Sequence, residues 1–248
     1  MITIKTPEEI QIMAEGGKIL AKIMEELEKQ VKPGITTKEL DRASEALILK
    51  YRAKPSFKNY QGFPACLCTS INEELVHVVP SERVLKQGDI ISLDFGILFK
   101  GFHTDMAVTI PVGKVLPGTQ RLIKVTKEAL KRAMKEVKPG NTVGNIGSAI
   151  QNFIESRGFG VVRELCGHGI GKNIHEDPQI PNYKDKGADI ILKQGMVICI
   201  EPMATMGDWH IKKAKDNYGF QTKDGSLSAH FEHTIAVTKR GSKVLSVF

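Results

Sequence analysis

Cysteine is scarce in this chain and is nowhere paired as C-x-x-C: Cys66, Cys68, Cys166 and Cys199 are the whole set. That spacing lacks the knuckles of a structural zinc site. The expectation is reduced, mostly buried thiols rather than a disulfide framework. Also missing is any apolar run long enough to span a bilayer. The opening Met1-Ile2-Thr3-Ile4-Lys5 carries no apolar core of a secretory signal. A cytoplasmic protein with no membrane partner is therefore expected. No HExxH, G-x-S-x-G or Walker loop occurs, which sets aside three common hydrolase and nucleotide chemistries. Gly167-x-Gly169-x-Gly171 is not a dinucleotide fingerprint, because no further x-x-Gly follows with a helix behind it.

What is present is a chain of 248 residues, 41% hydrophobic and 25% charged, enough for one large domain with a substantial core. The net charge of +7 raises the question of a nucleic-acid partner. The lysines, however, are interspersed with glutamates along the expected helices, as on solvated faces. No specific DNA partner is expected, and the densest run, Lys212-Lys213-Ala214-Lys215, reads as a mobile exposed loop.

Thr6-Pro7-Glu8-Glu9 opens a helix: Thr6 caps, Pro7 fits the first turn and Glu9 completes a capping box. Ile10, Met13, Gly17, Leu20, Met24, Leu27 and Val31 recur at helical spacing until Lys32-Pro33-Gly34. A second helix runs from about Thr37 to Arg52, with Leu40, Leu47 and Tyr51 inward. The same pattern returns later. A helix from roughly Thr119 to Glu136 ends in Val137-Lys138-Pro139-Gly140-Asn141-Thr142, matching Val31-Lys32-Pro33-Gly34-Ile35-Thr36. Another helix follows, with Val143, Ile146, Ile150 and Phe153 on one face. Lys86-Gln87-Gly88 precedes an apolar strand ending at Asp94, and Lys193-Gln194-Gly195 precedes one ending at Glu201. Such a long period is not that of a solenoid. The chain reads as one domain, 1–248, built of two related halves, about 6–112 and 117–240.

If the halves pair about a pseudo-two-fold axis, Asp94 and Glu201 converge. A turn near Lys100-Gly101 brings Asp105 back toward Asp94, and the strand-like stretch Ser226–Val237 brings Glu232 past Glu201. Buried carboxylates need partners. Two like charges at ~4 Å repel by about 4 kcal/mol even at an effective dielectric of 20. No Lys or Arg lies in the strand cores beside them, so such a cluster protonates or binds cations. Two divalent ions balance four carboxylates, and one histidine, most simply His168, completes the set. A mixed oxygen and nitrogen site without thiolate suits Mn, Fe, Co or Zn better than Mg or Ca. Metal-assisted hydrolysis of an amide, an ester or a phosphate is the reaction class this implies. The segment Gly167-His168-Gly169-Ile170-Gly171-Lys172-Asn173-Ile174-His175 adds two histidines seven apart, with glycines that let a metal, substrate or backbone come close.

These residues together resemble a known family. Asp94 and Asp105, His168 with His175, Glu201 in Ile200-Glu201-Pro202-Met203, and Glu232 in Phe231-Glu232-His233-Thr234-Ile235 are similar to the type I methionine aminopeptidases over nearly the whole chain. The resemblance implies an α+β pita-bread fold, an antiparallel central sheet flanked by two helix pairs. It implies removal of the initiator methionine from nascent polypeptides when the second residue is small. Asp94, Asp105, His168, Glu201 and Glu232 would hold two divalent ions per chain, Co, Mn, Fe or Zn, with Glu201 also the general base. His175 would contact the scissile peptide, and His77 the scissile nitrogen or peptide backbone. Tyr60, Phe63, Cys68, Ile174 and Tyr218, with Phe57 nearby, would wall the methionine pocket. Leu165, Ile174, Tyr218, Thr104 and Met106 depart from the usual residues at their positions. Neither the helical insertion of the type II enzymes nor a zinc-finger extension is seen. The remaining histidines, His103, His210, His230 and His233, are taken as structural or surface residues. A monomer is expected, with contact near the ribosomal exit as a further expectation from the charge. The competing readings are an X-Pro dipeptidase or aminopeptidase P, and a non-catalytic pita-bread binding protein.

Overall fold

The computed structural model describes all residues except 186, 188 and 248. Four helices appear where the capping signals and periodicity put them, with small shifts at the ends: α1 Pro7–Glu28, α2 Thr37–Lys50, α3 Pro117–Glu136 and α4 Val143–Glu155. Thr6 and Glu9 close the expected capping box on α1, and Thr36 and Glu39 close another on α2. α3 begins at Pro117 rather than Thr119 and has no side-chain cap. Proline at the first turn, whose backbone lacks an N–H, needs none there.

The main sheet runs Lys54–Pro55, Ile90–Phe99, Phe102–Pro111, Glu232–Thr238, Val197–Ile200, Cys166–Gly169, Glu176–Pro181, with all neighbours antiparallel. Cys68–Ile71 and Gly241–Val244 pair alongside that path. The long hairpin Ile90–Phe99/Phe102–Pro111 turns at Lys100 and Gly101, with φ of 48° and 86°. Two left-handed residues are what a tight two-residue hairpin turn requires.

Alternation along the strands sorts the two faces. Ile91, Leu93, Phe95 and Ile97 pack with Leu20, Met24 and Leu27 of α1 and Leu40 and Ile48 of α2. Ile198, Ile200, Ile235 and Val237 pack with Leu122 and Ala129 of α3 and Ile146 and Ile150 of α4. Both helix pairs therefore cover one side of the sheet, and the intervening residues, Asp94 among them, point away from it.

The repeat is written in backbone hydrogen bonds. Gly34 N–H donates to Leu85 O and Leu85 N–H to Ile35 O; Gly140 N–H donates to Leu192 O and Leu192 N–H to Asn141 O. Isolated bridges join Thr36 to Val84 and Thr142 to Ile191. The turn glycines Gly34 and Gly140 have φ of 96° and 91°, and Gly88 and Gly195 have 93° and 89°. This architecture is the pita-bread fold.

Two expectations need correction. Ser226–Val237 is not one strand: it breaks at Phe231 into Ser228–His230 and Glu232–Thr238, in different sheets. Ser228–His230 pairs with Met203–Thr205 in a small three-stranded sheet. Lys212 and Lys213 are not in a loop but in the strand Ile211–Lys213, where Lys213 Nζ lies 3.9 Å over the Phe220 ring. A cation over an aromatic face gives an exposed strand a reason to stay paired.

Candidate metal centre and cleft

The acids converge through strand register. Asp94 is paired with Ala107, and Ala107 with Glu232 on the next strand. The three therefore form one row across three strands, facing the same way, and the small Ala107 leaves room between two carboxylates. Asp105, two residues before Ala107, shares that face and lies opposite Gly96. Carboxylate oxygens of Asp94, Asp105 and Glu232 lie within 4.8 Å of one another. Thr234 fixes Asp105: its hydroxyl accepts from Asp105 N–H and donates to Asp105 O, each at 2.8 Å. Thr104 and Met106 flank Asp105 but point to the other face, Thr104 1% exposed and Met106 in the core against the first helix pair.

Glu201 follows Val197–Ile200, and His168 lies in Cys166–Gly169. The glycines there serve close backbone approach. A Cβ on Gly167 would be 2.3 Å from Cys199 O, and one on Gly169 would be 2.1 Å from Asp177 O. With those positions bare, the His168 strand presses into the sheet. His168 Nδ1–H donates to Gly169 O at 2.8 Å, leaving the Nε2 lone pair 3.8 Å from Glu201 Oε1. That bond sets the tautomer, as the outer bond of a metal-binding imidazole does.

The electrostatics are those of a site that expects cations. Burial pushes Asp105 and Glu201 up to about 8, the Glu201 charge adding to the shift at Asp105. Burial first, then the neighbouring acids, pushes Asp94 and Glu232 well above the carboxylate range. Burial pushes His168 down to about 3, with His175 adding to it. Asp94 Oδ1 and Glu232 Oε1 are buried without a hydrogen-bond partner among the described residues. Among the described residues the salt-bridge partners of these acids are histidines, not Lys or Arg. Unpaired buried carboxylate oxygens beside a bare imidazole nitrogen fit divalent metal ions of the nitrogen- and oxygen-loving kind.

Two cavities meet at this cluster, and His77, His168, His175 and Glu201 line both. The smaller, about 290 Å3, is walled by Phe57, Tyr60, Phe63, Cys68, Tyr218 and Phe220, with Asp94, Asp105 and Glu232 at its floor. Ile174 does not line it; it is 2% exposed, in the cluster against which Phe57 and Tyr60 pack. Tyr218 Oη donates to Gly62 O at 2.9 Å, and its ring meets Phe63 edge-on at 5.7 Å, so two loops join at the rim. The larger cavity, about 570 Å3, extends past Leu165, Cys166 and Met203 toward Thr3.

His175 meets His168 edge-on at 4.4 Å and shares a 2.9 Å hydrogen bond with Tyr60 Oη through Nδ1. Its loop is clamped from behind by Lys5 Nζ on Glu176 at 2.7 Å, both side chains nearly buried. His77 opens to the cleft from a left-handed backbone, φ 60°, and desolvation of its ring, with His230, His175 and Lys213 adding, pushes it down to about 4.

His230 is the correction to the site. It is not at the surface: it is 1% exposed, with Nε2 3.5 Å from Glu201 Oε2. The signal was available, since His230 and Glu232 are two residues apart in a strand-like stretch and such residues share a face. His103 and His233 do have structural roles, bonded through Nδ1 to Ser56 Oγ at 2.8 Å and Ser246 Oγ at 2.9 Å. His210 is exposed beside Asp208. All four cysteines are unpaired, and Cys68 and Cys199 are buried at the cluster's edge.

The fold and the acid-and-imidazole cleft define a metallohydrolase, and the sequence profile of metallopeptidase family M24 matches residues 11–239. The chain belongs to that family. Over 246 residues it is 50% identical to methionine aminopeptidase 1 of Bacillus subtilis, covering 99% of each sequence. It superimposes on the crystal structure of methionine aminopeptidase from Thermotoga maritima with a TM-score of 0.97 and 42% identity, each chain fully covered. Against the Xaa-Pro dipeptidase from Bacillus anthracis the TM-score is 0.78 at 26% identity, with 98% of this chain but 61% of that one covered. The dipeptidase reading is not favoured, and membership of a peptidase family likewise stands against a non-catalytic binding protein.

Proposed function

We propose that the chain removes N-terminal methionine from nascent polypeptides whose second residue is small, working as one catalytic unit of two halves. The observation that carries this reading is the buried cluster of Asp94, Asp105 and Glu232, with Glu201 and His168 beside it, where two cavities meet. In this reading Asp94, Asp105, His168, Glu201 and Glu232 hold two divalent ions. Bound ions would lower the pKa of a water and polarise the scissile carbonyl. Glu201 takes the proton of the attacking water and passes it toward the leaving amine. His175, held by Tyr60, donates to the oxygen of the scissile carbonyl as charge builds there. His77, across the cleft, contacts the scissile nitrogen or peptide backbone. The methionine side chain enters the smaller cavity, whose aromatic and sulfur walls suit a flexible thioether. The polypeptide beyond it leaves along the larger one.

Peptide cleavage by metal-stripped protein tests this. Met-Ala-Ser, Leu-Ala-Ser and Ala-Pro are offered with Mn, Co, Fe or Zn restored one at a time. Release of methionine alone, dependent on metal and abolished by Glu201→Ala, is expected. Preferred cleavage of Ala-Pro, or no cleavage despite tight metal binding, overturns the reading. The accompanying proposals are a cytoplasmic monomer, as the family resemblance implies, and docking near the ribosomal exit, which the +7 net charge and the implied substrate support. No helix among the described residues is long and apolar enough to cross a membrane. Ribosome co-sedimentation that weakens with salt is expected, and its absence at low salt counts against docking.

A further inference from the structure

His230 is 1% exposed, and among the described residues neither of its ring nitrogens has a hydrogen-bond partner. Its Nε2 lies 3.5 Å from Glu201 Oε2 and 4.0 Å from Glu232 Oε2. The other oxygen of Glu201, Oε1, faces His168 Nε2 at 3.8 Å. One carboxylate is thus flanked by two imidazoles, one at each oxygen.

The two rings are prepared differently. His168 donates Nδ1–H to Gly169 O, so its Nε2 is a bare acceptor suited to a cation. His230 has no bond at Nδ1, and its Nε2 faces a carboxylate oxygen. Two lone pairs would repel there, so the hydrogen belongs on Nε2. The mount of His230 is rigid. The Thr109 hydroxyl accepts from His230 N–H and donates to His230 O, each at 2.8 Å, and Ser92 Oγ lies 2.9 Å from the same hydroxyl. Pairing of His230 with Met203 fixes the other edge of the strand. A charge-assisted bond of ordinary length, ~2.8 Å, needs only a small turn of either side chain.

We propose that His230 is a positioning residue for Glu201: it donates Nε2–H to Oε2, which holds the carboxylate so that Oε1 faces His168 and the metal-binding space. The peptide-cleavage arm of its test rests on the function proposed above; the metal-binding arm does not.

The experiment compares His230→Gln, which keeps an N–H donor, with His230→Leu and His230→Met, which remove it. Manganese affinity of the metal-stripped full chain is measured by calorimetry, and kcat and KM on Met-Ala-Ser are measured separately. The two apolar variants should each weaken manganese binding and lower kcat about 10- to 100-fold with KM changed less than about threefold, while the glutamine variant stays within about threefold of the parent. The methionine variant decides the matter if leucine prevents folding. Parental affinity and kcat in the apolar variants overturn the proposal. So does a glutamine variant as impaired as leucine, or a changed visible spectrum of its cobalt-loaded form, which would make His230 a metal ligand. If the parent binds manganese but cleaves no Met peptide, the proposed function fails, while calorimetry still decides this one.

Discussion

The two halves share a backbone plan but equip the cleft differently. The first half gives two carboxylates from one continuous hairpin, Asp94 and Asp105, ten residues of strand on each side of a two-residue turn. The second half separates its two acids, Glu201 and Glu232, by an excursion containing the strands Met203–Thr205, Ile211–Lys213, Phe220–Thr222 and Ser228–His230. It adds His168 from a further strand and His175 from the loop that follows it. One half is a rigid oxygen platform. In the proposed mechanism the other supplies His168, His175, the proton carrier Glu201 and part of the cleft wall, while the first half also brings His77 to the cleft. A duplicated scaffold can thus keep its hydrogen-bond frame while one copy takes on most of the chemistry.

The comparison is broken most severely at the two matched acids. Asp94→Asn and Glu201→Gln should each lower kcat/KM about 10²- to 10⁴-fold. Their rescue should differ. A platform residue acts through metal retention, so excess manganese should restore much of the Asp94→Asn activity. A general base also moves the proton, so the Glu201→Gln loss should persist at saturating metal. Assays across a manganese titration separate the two, and equal rescue would mean that the halves are equipped alike.

A smaller effect compares glycines facing neighbouring backbone. A Cβ at Gly169 would be 2.1 Å from Asp177 O, whereas one at Gly96 would be 2.9 Å from Thr104 O. Gly169→Ala should destabilise by about 1–3 kcal/mol or more, since backbone must move. It should also displace His168 and lower cobalt affinity. Gly96→Ala should cost less and leave that affinity nearer the parent. Denaturant melts with cobalt titrations check both, and a harmless Gly169→Ala would show that the His168 strand has slack.

The frame was legible because short-range chemistry writes it: capping residues, the KPG and KQG turns and period-two strands leave local marks. Asp94 and Glu201 were legible for the same reason, each at the same offset from a KQG turn, and Asp105 lay across the hairpin turn at Lys100 and Gly101. What was not legible depends on distant pairing. Nothing local says that the chain changes sheets at Phe231, or that this brings His230 against Glu201. Ile174 was placed in the pocket wall through resemblance, yet the bend before the strand Glu176–Pro181 exposes His175 and turns Ile174 into the core. The side chains of Thr104 and Met106, departures beside Asp105, face away from its carboxylate because strand neighbours point opposite ways, although Met106 N–H donates to Asp105 Oδ1 at 2.9 Å.

The metal-free protein should lose stability as pH rises from about 6.5 to 8. Burial holds Asp105 and Glu201 near 8, far above ordinary carboxylates, so the fold retains protons that the unfolded chain has shed. Stability from such groups is complete below the unfolded pKa and is lost as pH climbs to the folded one. The buried His168 and His230, held near 3, have the opposite sign, but their contribution is largely complete above about 6.5. A fall in Tm on the order of a few °C across that window is expected for stripped protein. Saturating manganese should remove most of it, and Asp105→Asn should flatten it without metal. A Tm that rises with pH in the stripped protein would contradict the burial of these acids.

The smallest test asks whether the repeated frame is energetically repeated. Thr36 N–H donates to Glu39 Oε2 at 2.8 Å and Thr36 Oγ1 accepts from Glu39 N–H at 3.1 Å, so both arms of that cap are made. At the matching position Thr142 N–H donates to Asn145 Oδ1 at 2.8 Å, but Asn145 N–H donates to the Thr142 carbonyl rather than its hydroxyl. Thr36→Ala removes an acceptor from a helix N-terminus and should cost about 1 kcal/mol. Thr142→Ala removes only a hydroxyl that donates to Asn145 Oδ1, and should cost a few tenths of that. The sites lie in different halves with no shared partner, so the double variant should show the sum of the two losses. Equal costs would mean that the second cap makes its missing arm in solution. A double variant losing more than the sum would mean that the halves support one another through the sheet.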